Sequence, residues 1–166
     1  MPTSDKQLYT SAFQKINQME QDYLFRFKSS LEHYTAEVFV LRCFDDRFRK
    51  AYEAFMVSLG INHYDPESVA GGAKIFASPE KEDDQDFMIR ELEKSILLHH
   101  VKKVMLFTHH ACGAYKEIAP SSHDKEAEFA FHVGEHHKAR AAIYECFPEL
   151  QVESYFTDEH GIKRIS

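Results

Sequence analysis

At 166 residues, 43% of them apolar, the chain is long enough to bury one core without disulfide staples and is expected to form a single domain over 1–166. Its 20 basic and 27 acidic residues give a formal charge of −7, which argues against nucleic acid or an anionic membrane as partner. Met1 to Gln21 lacks the apolar core of a signal peptide, no stretch approaches a membrane span, and three cysteines do not make a disulfide framework, so a reducing cytoplasm is the expected setting.

In chain order, Tyr9, Phe13, Ile16, Met19, Tyr23, Phe27, Leu31 and Tyr34 recur every three or four residues, which predicts a long amphipathic helix from Ser4 to Tyr34 with Ser4 or Asp5 as cap. Such an arm, 1–34, would cover a sheet face. Val38 to Leu41 is a continuous β-rich run, as expected of a strand buried on both faces of a parallel sheet. Lys50 to Leu59 reads as a short helix closed by Gly60, and Val69 to Phe76 as a glycine-interrupted strand. After a loop at Pro79, Asp83 or Asp84 would cap a helix whose apolar stripe is Phe87, Leu92, Ile96 and Leu97. Val101 to Thr108 reads as a second buried strand, Asp124 to Phe147 as a helix broken by Pro148, and Gln151 to Phe156 as the last of four strands. Alternation of strands and helices predicts an α/β fold: a mainly parallel sheet flanked by helices.

Two motifs fall at the C-terminal ends of predicted strands, where ligands gather in such sheets. Cys43-Phe44-Asp45-Asp46-Arg47 follows the first, and His109-His110-Ala111-Cys112-Gly113 follows the third. Cys43, His109 and Cys112 offer two thiolates and an imidazole, the donors zinc prefers, and Asp45 offers a carboxylate for a fourth place. Each cysteine alone would read as a small buried hydrophobe, and a Cys43–Cys112 disulfide is the competing pairing. If the chain stays extended, Cys43, Asp45 and Arg47 share one face.

Taken together, Cys-x-Asp-x-Arg and His-x-x-Cys-Gly resemble the zinc signature of the β-class carbonic anhydrases, and the likeness runs from about Glu37 to the end of the chain. The resemblance implies one Zn²⁺ per chain on Cys43, His109 and Cys112, with Asp45 as fourth ligand in a closed state. It implies an Asp45–Arg47 dyad in which Arg47 orients Asp45, and Asp45 accepts a hydrogen bond from the attacking hydroxide. The implied reaction is reversible hydration of carbon dioxide to bicarbonate and a proton, favoured at alkaline pH, in a homodimer or larger homo-oligomer. Where the family carries Arg-Asn-Ala-Gly-Asn, this chain has Val69-Ala70-Gly71-Gly72-Ala73-Lys74, which keeps glycines and loses the arginine and asparagine. Gly71, Gly72 and Gly113 are the pocket candidates. A carbon disulfide or carbonyl sulfide hydrolase, or a non-catalytic zinc protein, fits the same motifs.

Other histidines receive plainer readings. His99 and His100 suit the end of a helix by charge, and His132 and His136, one turn apart, read as surface rather than as a second metal pair. His110 is either a proton carrier or a solvent-facing neighbour of the site. Cys146 reads as core.

Overall fold

The computed structural model describes residues 23–166, which divide between His33 and Tyr34 into two units. In the first unit, Tyr23 to His33 is irregular chain, with the Arg26 guanidinium 5.4 Å from the centre of the Tyr23 ring. The expected N-terminal helix therefore does not extend through Tyr23–Tyr34; its earlier part, 4–22, lies outside the described residues. The reason is visible in the exposure of Leu24, Phe25, Phe27 and Leu31: an amphipathic stripe stabilises a helix only where something buries it.

The second unit holds the strands β1 (Val38–Arg42), β2 (Tyr64–Ser68), β3 (Lys103–His109), β4 (Gln151–Asp158) and β5 (Gly161–Ile165). They form one sheet in the order β2-β1-β3-β4-β5, parallel except for the β4–β5 hairpin. Helices α1 (Arg49–Ser58), α2 (Lys74–Ala77), α3 (Glu82–His99) and α4 (Lys125–Cys146) lie between the parallel strands. Side chains alternate across the sheet as the strand period requires. Phe39, Leu41, Val104 and Leu106 pack with Phe76 of α2, Met88 and Leu92 of α3, and Ala139 and Ile143 of α4. Val38, Val40, Met105 and Phe107 pack with Tyr52 and Met56 of α1. Each large apolar side chain so buried contributes about 1.5–3 kcal/mol. Among the described residues no helix is long and apolar enough to cross a membrane.

The mainly parallel sheet is as expected, but it has five strands rather than four. Val69 to Phe76 is not a strand. Gly71 and Gly72 adopt φ of 78° and 58°, which turns the chain into α2, and the strand is instead Tyr64–Ser68. Its sequence, polar and carrying Pro66, hides a strand that survives because it sits at the sheet edge. Helix α3 starts earlier than expected, with Lys81 at the N-cap and Asp83 and Asp84 in the first turn, where carboxylates suit the dipole. It buries Met88, Leu92 and Ser95 and leaves Phe87 and Leu97 exposed. The last helix is as read: Asp124 caps it by accepting from the Ala127 amide at 3.0 Å. Cys146, at its far end, is exposed rather than core.

Candidate metal centre

Buried runs deliver both motifs to one place. β1 and β3 are adjacent and parallel, so their C-terminal ends bring Cys43 beside His109 and Cys112 although the motifs are far apart in sequence. The side-chain donor atoms of these three residues lie within 4.8 Å of one another, and all three residues are buried. A tetrahedral ion with bonds of about 2.0–2.3 Å needs donors roughly 3.3–3.8 Å apart, a spacing that lies within this limit. All three cysteines are free thiols, and the Cys43–Cys112 disulfide is not formed.

The imidazole is oriented for the role. His109 Nδ1 lies 2.9 Å from the His110 carbonyl, which can only accept; the proton therefore sits on Nδ1, and Nε2 keeps its lone pair. That Nε2 is buried with no hydrogen-bond partner, the state expected of an atom reserved for a ligand. The Phe48 ring, 4.8 Å from the imidazole, packs against it. The Cys43 thiol is drawn well below the usual range, chiefly by Cys112 beside it and further by His109 and the backbone amides of Asp45 and Gly71. Cys112 is pushed up in turn by its hydrogen bond with Cys43, by burial and by the charge on Cys43. Two soft sulfurs and one imidazole fit zinc by chemistry and by reach.

Asp45 and Arg47 are not on an extended strand. Asp45 caps a 3₁₀ turn, Asp46–Phe48, by accepting from the Arg47 amide at 3.0 Å, and the turn folds the guanidinium back onto the carboxylate. Arg47 Nη2 donates to Asp45 Oδ2 at 2.7 Å, and Nε donates to both oxygens, at 3.0 and 3.1 Å. The guanidinium holds the Asp45 carboxyl at about 2, below its ordinary 3.8. Asp45 Oδ2 is also 3.8 Å from His109 Nε2, so the carboxylate borders the donor cluster while bonded to Arg47.

Residues 34–165 match the family model described as putative carbonic anhydrase. The chain belongs to that family. An uncharacterized protein of Rickettsia conorii is 28% identical over 134 residues, covering 76% of this chain and 70% of its own. The fold is that of the β-carbonic anhydrases: the Streptococcus mutans carbonic anhydrase superposes with a TM-score of 0.56 at 15% identity, over 100% of both chains. A structure from Sordaria macrospora, described as one of two tetrameric β-carbonic anhydrases, gives 0.53 at 17% identity over 97% of this chain and 95% of that one.

Within this carbonic anhydrase fold the glycines have separate tasks. Gly72 is wedged under the site, where a Cβ would stand 2.2 Å from the Phe107 carbonyl oxygen and 2.9 Å from the Cys43 nitrogen. Gly71 passes close to Lys74 and Ala114, whereas a Cβ on Gly113 would meet nothing within 4 Å. An open groove of about 450 Å³ lies beside Cys112, lined among others by Gly113, Lys116, Ser121 and His123.

The histidines depart most from expectation. His132 and His136 are fully buried rather than on the surface, and burial lowers them to about 4 and about 3, so both are neutral. His136 Nε2 lies 3.0 Å from Thr108 Oγ1, and His132 packs edge-on to Tyr115. Their one-turn spacing marked a helix face but not which face meets the sheet. His99, beyond its place at a helix end, pairs through Nδ1 with Asp65, 2.9 Å away. His110 does not face solvent freely: its Nδ1 pairs with the buried Glu128 of α4. Nothing in the spacing from His110 to Glu128 announced that contact, which depends on how α4 crosses the sheet.

Proposed function

We propose that this protein is a zinc enzyme that hydrates carbon dioxide reversibly to bicarbonate and a proton. The observation that carries this reading is the pose of Asp45, held by Arg47 and bordering the Cys43–His109–Cys112 donor set without displacing a donor. Cys43, His109 and Cys112 would hold the metal, which when bound supplies a Lewis acid that makes water nucleophilic near neutral pH. Asp45, ionised throughout the working range, accepts a hydrogen bond from the nucleophile and points a lone pair of it at carbon dioxide. Arg47 keeps Asp45 in that pose through its fork of donors, and its own Nη2 reaches the Ala111 carbonyl at 3.3 Å. The Gly71–Gly72 turn and Gly113 border the substrate space.

Family membership and the fold support the same reading. The tetramers described for Sordaria macrospora favour a homo-oligomer here as well, and exposed Phe44, Val57 and Leu59 are apolar surface that a second copy would cover. Free metal-binding thiols suit a reducing cytoplasm.

The test is stopped-flow carbon dioxide hydration on purified protein of measured metal content, with carbon disulfide and carbonyl sulfide assayed in parallel. About one zinc per chain, and hydration that chelation abolishes and zinc restores, are the expected results. Zinc-loaded protein inert toward carbon dioxide but active on a sulfur analogue would reassign the substrate; inert toward all three, it would be a binding protein.

A further inference from the structure

We infer that Glu128 is a positioning residue for the metal centre, acting through the two residues between His109 and Cys112, His110 and Ala111. It lies in the first turns of α4 and is 3% exposed, and the hydrogen bonds of its carboxylate go to His110 and Ala111 rather than to the proposed ligands. Its Oε1 accepts from the Ala111 amide at 2.8 Å, and its Oε2 pairs with His110 Nδ1. A buried carboxylate needs such partners, and here both come from the segment that carries the site.

That segment is a junction for everything around the donors. The His110 carbonyl fixes the tautomer of His109, and the Ala111 carbonyl accepts from Arg47, which holds Asp45. The His110 amide donates to the Thr157 carbonyl of β4 at 2.8 Å, anchoring the other side. Ala111 itself has φ of 52°, in the left-handed region that a residue with a Cβ seldom enters unless its surroundings impose it. Glu128 imposes it: the amide it holds belongs to the strained residue. Moving that carboxylate would release Ala111, turn the Ala111 carbonyl away from Arg47, and change the direction in which Cys112 leaves the turn.

The inference takes the metal site of the proposed reading as its setting, but its experiment does not depend on turnover. Wild type, Glu128→Gln, Glu128→Asp and Glu128→Ala are loaded with cobalt(II) for visible spectra, and their zinc affinity is measured by chelator competition. Glutamine still offers Oε1 to the Ala111 amide, so the Glu128→Gln spectrum and affinity should stay near wild type. Aspartate draws the acceptor back by one methylene and alanine removes it. Both should shift the cobalt bands and weaken zinc binding by about 10- to 100-fold, the loss typical of groups that orient metal ligands.

Should the protein hydrate carbon dioxide, kcat in Glu128→Asp should fall further than KM changes, and Glu128→Gln should restore it. Should the wild type prove inert, the spectra and affinities decide alone. A Glu128→Asp protein with the wild-type spectrum and zinc affinity within twofold overturns the proposal, whether or not Glu128→Ala folds. So does a Glu128→Gln protein as impaired as Glu128→Asp, which would assign the effect to charge rather than to the held amide.

Discussion

Replacing Gly72 by alanine tests how the sheet builds the site. At φ of 58° an L side chain costs roughly 1–2 kcal/mol. The new Cβ would also stand 2.2 Å from the Phe107 carbonyl oxygen and 3.1 Å from the Arg42 carbonyl carbon, all backbone of β3 and β1 that no rotamer change can move. Relief requires the turn to lift, which stretches the bond from the Ala73 amide to that same Phe107 carbonyl, now 3.2 Å. Overpacking of this kind costs about 1–3 kcal/mol, and a weakened buried hydrogen bond adds on the order of 1 kcal/mol. The sum is about 3–6 kcal/mol, a lowering of the melting temperature by roughly 6–24 °C for a chain of this size. Thermal melts with excess chelator isolate the fold from metal linkage. Gly113→Ala, with nothing within 4 Å of its Cβ and no positive φ, is the control and should shift stability by less than about 0.5 kcal/mol. A Gly72→Ala protein within 1 °C of wild type would refute the steric argument.

Four further outcomes follow from the same geometry. Arg47→Ala should keep its zinc by elemental analysis yet lose carbon dioxide hydration by about 10- to 100-fold, because Asp45 loses its two-pronged hold; wild-type kinetics would make the pair an ordinary ion pair. Cys112→Ser should lose most of its zinc while Cys146→Ser, whose thiol is exposed at the far end of α4, keeps it. His132 and His136 are lowered from 6.5 to about 4 and about 3, so the unfolded chain takes up two protons that the folded chain refuses. Their contribution is complete above pH 6.5 and is lost as pH falls toward about 4 for His132 and about 3 for His136, at up to about 1.4 kcal/mol per pH unit for each group. Urea titrations of His132→Phe should show that slope reduced by roughly one group's share, and an unchanged slope would sink the assignment. Asp45 titrates only between its ordinary 3.8 and about 2, losing its stabilising contribution as pH falls through that window, so no inflection of activity above pH 6 belongs to it.

How much of this the sequence disclosed depends on whether the signal was local. That Cys43, His109 and Cys112 would gather was legible because their residue types suit one metal site and because buried parallel strands read as unbroken apolar runs ending at the motifs. β2 was not, since an edge strand need not be apolar and Tyr64–Ser68 is not. The period of two through Cys43, Asp45 and Arg47 suggested the right neighbours by the wrong route, for a 3₁₀ turn rather than a strand joins carboxylate and guanidinium. The burial of His132 and His136 and the reach of Glu128 to Ala111 depend on how α4 is rolled against the sheet, which no spacing within the helix encodes.

The adjacency of β1 and β3 has a consequence for synthesis of the chain. Cys43 and Cys112 are 69 residues apart (112 − 43), and parallel pairing cannot form until the whole crossover between them exists. At about 5–20 residues per second, Cys43 is made roughly 3–14 seconds before its sulfur partner. During that interval the thiol has neither His109 nor a finished sheet to shelter it. An ion that needs all three donors therefore could not template the first steps of folding, and an oxidant or stray ion that reaches the nascent chain first would compete for the thiol.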